Sequence, residues 1–114
     1  MDDFFDNWTV QVRKGVLELF ILTSLRNGER YGYELVKSLV ALPGVDVAEG
    51  SMYPLLSRLK KKGFVKTRLV ESESGPARKY YSLSKNGEKE ADAMRSYFDG
   101  LVNGLTLLAK EENK

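Results

Sequence analysis

The stretch EGSMYPLLSRLKKKGF, residues 49–64, places polar and basic side chains at the spacing of one helical face. At 100° per residue, such positions point away from the apolar side of a helix. The residues that share this outward direction are Tyr53, Pro54, Ser57, Arg58 and Lys61. Hydroxyl, guanidinium and ammonium groups donate hydrogen bonds to phosphate oxygens and to acceptor atoms of bases. The face therefore offers a way to bind an anionic partner.

The opposite face of the same stretch is apolar. Its members follow the i, i+3, i+4, i+7 spacing of a buried helical stripe and are Met52, Leu55, Leu56 and Leu59. Gly50 or Ser51 is expected to cap this helix, and Pro54 is tolerated because amides of the first turn have no partner within the helix. One side of the helix is predicted to hold the fold and the other to meet a partner.

The charge of the chain is concentrated around this helix. The net charge of the whole chain is +2. Residues 49–81 contain eight basic and three acidic side chains, a net charge of +5, so the remaining chain carries −3. A basic block in an otherwise acidic chain is typical of a phosphate-binding surface, although an ordinary solvated surface has the same composition.

The residue types that are missing exclude several kinds of site. The 114 residues include no cysteine and no histidine, so disulfides, thiolate metal sites and histidine-based catalysis are not expected. We expect no cofactor, no metal site and no enzymatic activity. The first residues, MDDFFDNW, lack the basic and then apolar pattern of a signal peptide, and no apolar run reaches the roughly 20 residues that span a bilayer. A cytoplasmic protein without membrane contact is predicted.

Helices precede the quoted stretch and a hairpin follows it. Apolar periodicity predicts a first helix over Thr9–Arg26 and a second over about Arg30–Leu42. Two segments rich in Val, Thr and Tyr, Phe64–Glu71 and Ala77–Leu83, flank the polar turn at residues 72–76 and predict a β-hairpin. The predicted fold class is mainly α with a small β-hairpin.

The last predicted helix is capped by Ser84 and runs to about Glu111. Its apolar residues alternate spacings of three and four and are Ala91, Met94, Phe98, Leu101, Leu105 and Leu108. Such a heptad seam on a helix about 42 Å long predicts dimerisation. The alternative is a seam within one chain, packed on the first helix, and both arrangements can coexist.

The order of elements is that of a winged helix-turn-helix domain, residues 1–83, followed by a dimerisation helix, residues 84–114. Three segments, VLELFILTSLRNGERYGYELVKSL, GSMYPLLSRLKKKGFV and GPARKYYSLSKNGEKE, resemble the PadR-like family of bacterial transcriptional regulators. The resemblance covers about Gly15–Glu90, and the single helix after the wing is similar to the short subgroup. It implies a dimeric repressor that leaves its operator when a small aromatic or drug-like compound binds.

The resemblance assigns DNA-binding roles to individual residues. They are Tyr33 of the Gly-Tyr-Glu-Leu element, Ser51, Tyr53, Pro54, Ser57 and Arg58 of the recognition helix, and Arg78 and Lys79 of the wing. Lys61 is expected to meet phosphate. Arg58 suits a base edge because its guanidinium can grip guanine with two hydrogen bonds, and pairing with a nearby carboxylate is the alternative. Tyr53 has packing or capping as its alternative role.

Aromatic residues near the predicted seam suggest a ligand site. The candidates for lining it are Phe5, Trp8, Met94, Tyr97 and Phe98. An indole or phenyl ring can stack on a planar effector, and packing against the partner's last helix is the alternative.

The sequence thus predicts a regulator that binds a pseudo-palindromic DNA operator as a homodimer, since two-fold symmetric proteins read two-fold symmetric sites. A winged-helix module that binds protein is the alternative function. It is less favoured because the outward face of residues 49–64 lacks the large apolar anchors typical of protein-binding surfaces.

Overall fold

The computed structural model describes residues 3–112. The described part contains four helices and three strands. In chain order they are α1 (Asp3–Ser24), β1 (Arg30–Tyr31), α2 (Gly32–Val40), α3 (Glu49–Lys61), β2 (Val65–Ser72), β3 (Gly75–Leu83) and α4 (Lys85–Glu112). The chain is mainly helical with a small antiparallel sheet, as the sequence predicts.

The sheet is antiparallel with the strand order β1-β3-β2. The hairpin of β2 and β3 is confirmed, and its turn is only two residues long, at 73–74. The strand β1 was not predicted from the sequence. In it Arg30 pairs with Tyr81 and Tyr31 pairs with Tyr80. These two residues were expected to begin the second helix, which instead begins at Gly32.

The first helix begins six residues earlier than predicted, at Asp3 instead of Thr9. Asp3 and Asp6 lie in its first turn, where carboxylates interact favourably with the positive end of the helix dipole. The prediction of a later start was therefore wrong.

The N-terminus of α3 is not capped as the sequence predicts. The residue before the helix is Ala48, which has no side chain able to cap it, so the expected capping by Gly50 or Ser51 is wrong. At the other end Gly63 adopts a φ of 82°, a left-handed conformation that glycine takes without strain. Its amide and that of Phe64 donate to the carbonyls of Lys60 and Leu59 at 3.0 Å, which ends the helix in a Schellman motif.

The core lies between the helices α1, α2 and α3 and the inner face of the sheet. Its fully buried members include Ile21, Leu22, Leu35, Val36, Met52 and Leu56. The predicted stripe of α3 is confirmed, with Met52, Leu56 and Leu59 buried and Leu55 partly buried. Ala91 of α4 is also part of this core, so the start of the last helix packs on the same body.

The joint between the wing and α4 is tight. Ser84 caps α4 as predicted, because its Oγ accepts a hydrogen bond from the Gly87 amide at 2.9 Å. The same hydroxyl donates to the Gly63 carbonyl at 2.6 Å. A Cβ on Gly87 would lie 2.0 Å from the Phe64 carbonyl oxygen, so only glycine allows this approach of α4 to the chain after α3.

The far half of α4 leaves the body. The helix has 28 residues, and the described chain extends 64 Å along its longest axis and 21 Å along its shortest. The exposed fractions of Leu101, Leu105 and Leu108 are 53%, 68% and 62%. The single chain therefore leaves most of the predicted seam uncovered.

Candidate nucleic-acid interface

The outward face of α3 is free to meet a partner. Tyr53, Pro54, Ser57 and Lys61 are exposed. Within residues 3–112, the side chains of Ser57 and Lys61 form no hydrogen bond or ion pair with other protein groups. Because the opposite face is held in the core, their direction is fixed by the fold.

A close contact with the sheet fixes the position of α2, and therefore of Tyr33. A Cβ on Gly32 would lie 2.6 Å from a ring carbon of Tyr81, so the first residue of α2 must be glycine for the helix to pack on β3. Burial raises the pKa of the Tyr81 hydroxyl, and nearby Tyr53 raises it further. Tyr33 itself is exposed, and the Lys37 ammonium lies 5.3 Å from the centre of its ring.

Lys37 also connects α2 to α3. Its Nζ lies 2.7 Å from a carboxylate oxygen of Glu49, the first residue of α3. Hydrogen bonding to Glu49 raises the pKa of the Lys37 ammonium, so the lysine stays charged beside Tyr33. The contact links the last turn of α2 to the first residue of α3, across the turn of the helix-turn-helix.

Arg58 lies on the flank of α3 that faces α1. Its Nε is 3.7 Å from a carboxylate oxygen of Glu18, whose side chain is only 17% exposed. This is the carboxylate pairing that the sequence left open as the alternative to a base contact. Ser51 lies on the same flank, in a groove that it shares with Arg13 and Lys14 of α1. The predicted recognition residues thus divide between the outward face and this flank.

The wing carries its two predicted contacts on opposite faces, because successive strand residues alternate. Arg78 shares a face with Tyr80, and its guanidinium carbon lies 4.9 Å from the centre of the Tyr31 ring. Lys79 is exposed and pairs across the hairpin with Leu69. Both cations lie in the part of the hairpin that extends beyond β1.

A row of side chains that was not predicted from the sequence covers the outer face of the sheet. Tyr31, Tyr80 and Arg68 are direct neighbours across the three strands. The Tyr31 and Tyr80 ring centres are 5.7 Å apart, and the Arg68 guanidinium carbon lies 5.6 Å from the centre of the Tyr80 ring. Counting back from the two-residue turn at 73–74 would place Arg68 opposite Lys79. The register shift between Val70 and Ser72 brings Arg68 opposite Tyr80 instead, so the sequence does not indicate this row.

Arg68 also forms a bidentate ion pair with Glu29, which the sequence did not predict either. Its Nε and Nη2 donate to the two carboxylate oxygens of Glu29, each at 2.6 Å. This hydrogen bonding lowers the pKa of the Glu29 carboxyl and raises that of the Arg68 guanidinium. No local sequence pattern indicates this pair, because its members are 39 residues apart.

A cavity of about 520 Å³ lies between α1 and α4. Three of the predicted effector residues, Met94, Tyr97 and Phe98, line it. Phe5 and Trp8 lie on the first turns of α1 instead, with ring centres 6.1 Å apart and both side chains exposed. The structure of one chain therefore separates the predicted effector residues into two groups.

Comparison with known proteins identifies the group to which this arrangement belongs. Residues 21–93 match the model of the transcriptional regulator PadR-like family. The chain belongs to that family.

Solved structures of PadR-like proteins are similar over most of the chain. A PadR family transcriptional regulator from Eggerthella lenta DSM 2243 is 30% identical with a TM-score of 0.81, over 95% of this chain and 94% of its own. A transcriptional regulator from Streptococcus is 36% identical with a TM-score of 0.75, over 87% and 97%. Bacillus subtilis PadR, solved in complex with operator DNA, is 29% identical with a TM-score of 0.61, over 68% and 44%.

Membership of the PadR-like family confirms the predicted fold class and the resemblance that the three sequence segments carry. Family members are transcriptional regulators, so the expectation of a protein that is not an enzyme is also confirmed. In the part of the chain that the structure describes, no helix is both long and apolar enough to cross a membrane.

Proposed function

We propose that the protein is a sequence-specific, dimeric DNA-binding repressor, acting in the cytoplasm, that a small aromatic or drug-like compound releases from its operator. The observation that carries the proposal is the outward face of α3, where Tyr53, Ser57 and Lys61 are exposed on a helix held rigidly by its apolar side. Bacillus subtilis PadR, a similar protein, was solved with operator DNA.

In the proposed complex α3 lies in the major groove. Ser57 and Tyr53 donate hydrogen bonds to bases or phosphates, and Lys61 meets phosphate. Arg58 needs to leave Glu18 to reach a base, and the 3.7 Å separation of that pair is long for a hydrogen bond. The cost of separating Arg58 from Glu18, which reduces the discrimination that Arg58 can provide, is therefore small.

The wing and α2 contact the DNA backbone on either side of α3 in this proposal. Arg78 and Lys79 lie on opposite faces of the hairpin, so one can follow a phosphate strand while the other faces the groove. Tyr33 is exposed at the start of α2 and offers its hydroxyl to phosphate.

A second copy of the chain is the proposed cover for the seam of α4. Phe98, Leu101, Leu105 and Leu108 are exposed in the single chain, whereas Ala91 is already buried in its core. Fully burying an exposed leucine or phenylalanine side chain contributes about 1.5–3 kcal/mol. The four are 36–68% exposed in the single chain, so covering them supplies on the order of 3–7 kcal/mol per chain before association costs. The proposed dimer seam therefore begins after Ala91, with Phe4, Phe5 and Trp8 of α1 as further apolar surface.

The proposed effector site is the cavity between α1 and α4. Its lining is apolar and aromatic apart from Glu90, whose carboxylate suits a cationic group on a planar ligand. Phe5 and Trp8 join this site in the proposal only through the second copy, because in one chain they do not line the cavity.

Selection of bound duplexes from a random DNA pool tests the proposed function. The expected winner is a pseudo-palindrome with half-sites about 10 base pairs apart or a multiple of that spacing, bound about 10³-fold or more above scrambled DNA. Binding that follows salt concentration without preferring any sequence would contradict the proposal and favour a protein-binding module.

Variants assign the contacts on the selected duplex. Replacing Arg78 and Lys79 together by Ala is expected to weaken binding to all sequences and to flatten the slope of log K against log salt by up to about 2. Replacing Ser57 by Ala is expected to leave that slope unchanged, because serine carries no charge. An unchanged slope for the wing variant would remove the wing from the proposed interface.

A further inference from the structure

The wing is anchored by very little backbone pairing. The strand β1 contributes two residue pairs to the sheet, and the last of them, Tyr31 with Tyr80, is in the row of Arg68. Beyond that row, from Leu69 and Lys79 to the turn, the hairpin is a two-stranded ribbon. An isolated two-stranded ribbon is at best marginally stable in water. Its direction relative to α3 therefore depends on side chains at its base.

The Glu29–Arg68 ion pair lies at this base. The strand order places β2, which carries Arg68, at one edge of the sheet and the chain around β1, which carries Glu29, at the other. Arg68 reaches over the ring of Tyr80 to join them, with both of its hydrogen bonds at 2.6 Å. A bidentate guanidinium–carboxylate contact fixes the relative orientation of the two side chains as well as the distance between them.

We propose that Glu29 and Arg68 are positioning residues for DNA binding, which tie the outer strand of the wing to the chain beside α2. The inference rests on the proposed DNA-binding function. The tie holds the ribbon that carries Arg78 and Lys79 at one angle to α3, so that wing and recognition helix meet the same duplex together.

The alternative role for Arg68 is a phosphate contact that Glu29 holds back. Its Nε and Nη2 are occupied by Glu29 in the free protein, and the pair has no net charge. The two roles make opposite predictions for loss of Glu29. A positioning pair loses the wing angle when Glu29 is replaced, whereas a withheld phosphate contact is released.

The decisive variant is Glu29→Gln, measured on the selected operator over a salt series. We expect binding to weaken by about 3- to 10-fold with an unchanged salt slope, although the substitution makes the protein more positive. Glu71→Gln is the matched control, because it removes a carboxylate from the wing that forms no ion pair among the described residues. The control is expected to bind as tightly as the unmodified protein or slightly tighter. Tighter binding by Glu29→Gln would overturn the inference.

A charge exchange provides a second test. Arg68→Gln alone is expected to weaken binding by about the same factor as Glu29→Gln. The double variant E29R/R68E is expected to restore at least half of the lost binding free energy, since it remakes the ion pair with the charges exchanged. A double variant as weak as Arg68→Gln, with a salt slope lowered by about 1, would make Arg68 a phosphate contact and overturn the inference.

Amide hydrogen exchange of the free protein separates this inference from the proposed function. Loss of the tie is expected to speed exchange in residues 69–78 of Glu29→Gln and to leave α3 unchanged. Unchanged exchange in the wing would overturn the inference, whatever the affinity does. Failure of the unmodified protein to prefer any duplex would instead overturn the proposed function, and the exchange experiment would still report on the tie.

Discussion

The winged-helix body and the far half of α4 use similar apolar residues in opposite circumstances. In the body, Ile21, Leu35 and Met52 are fully buried. In α4, Leu101 and Leu105 follow an equally regular spacing and are mostly exposed. Apolar periodicity therefore marks a surface to be covered but does not say by which chain. The body finishes its core within one chain, whereas α4 leaves apolar surface uncovered, which a second copy covers in the proposed dimer.

The largest expected effect is on the seam of α4. The double variant Leu101→Lys and Leu105→Lys removes two apolar anchors from each chain, and the exposed part of each anchor is worth about 1–2 kcal/mol when covered. It also places like charges opposite each other across the two-fold axis of the proposed dimer. We expect the dimer dissociation constant to rise by at least about 100-fold, measured by sedimentation equilibrium. The circular dichroism of the body should be retained.

Leu107→Lys is the control for this comparison. Leu107 is an exposed leucine of the same helix but points away from the seam, about 160–200° from Leu105 and Phe98. It is expected to leave the dimer intact. Equal effects of the control and the double variant would place the dimer interface elsewhere.

The next effect concerns the body. Gly32→Ala puts a methyl group 2.6 Å from the Tyr81 ring, and overpacking of this kind costs about 1–3 kcal/mol. Urea unfolding at fixed protein concentration measures it. Gly50→Ala, in the first turn of α3 with open space around the added carbon, is the matched control and should not destabilise the protein. A Gly32→Ala variant as stable as the control would show that α2 can move away from β3.

A smaller effect distinguishes two glycines of α4. Neither Gly100 nor Gly104 has a neighbour that an added Cβ would meet in the single chain. Gly100→Ala should therefore stabilise the protein by up to about 1 kcal/mol through helix propensity. Gly104 lies closer to the seam than Gly100, about 40° from Leu108 and about 60° from Leu101 around the helix. Gly104→Ala should give less than this gain because the added methyl group meets the second copy in the proposed dimer. Equal gains in melting temperature would remove Gly104 from the interface.

The smallest effect is a pH dependence of the body. Arg68 lowers the pKa of the Glu29 carboxyl from its ordinary value of 4.5, so the ion pair contributes stability above that pH and loses it as pH falls through the lowered pKa. The difference in urea midpoint between the unmodified protein and Glu29→Gln should be constant from pH 7 to about pH 5 and shrink at lower pH. A difference that grows on acidification would contradict this ion pair.

Local signals predicted the elements that depend on near neighbours. The stripe of Met52, Leu56 and Leu59 and the cap at Ser84 are properties of single turns, and both are found. The strand β1 was missed because two residues have no periodicity, and its pairing partner, Tyr80–Tyr81, lies about fifty residues along the chain. The early start of α1 had a local signal in Asp3 and Asp6, which was overlooked.

The candidate site was predictable to a different degree. Helical geometry alone indicated which side chains of α3 point outward. It could not indicate which cations are already paired, because Glu18 and Glu29 reach Arg58 and Arg68 only in the folded chain. Competition between a carboxylate of the protein and a phosphate of a partner is set by tertiary structure, and sequence patterns carry no measure of it.

The joint at the start of α4 has a consequence for the operators that the proposed dimer accepts. Ser84 links Gly63 to Gly87, and the approach of Gly87 to the Phe64 carbonyl oxygen leaves no room for α4 to pivot there. Each base pair inserted between two half-sites turns one of them by about 34° around the DNA axis, because about 10.5 base pairs make a full turn. A stiff joint cannot follow that turn, so the protein should reject sites with the correct half-sites at the wrong separation. It would thereby measure a length along the DNA as well as reading its bases.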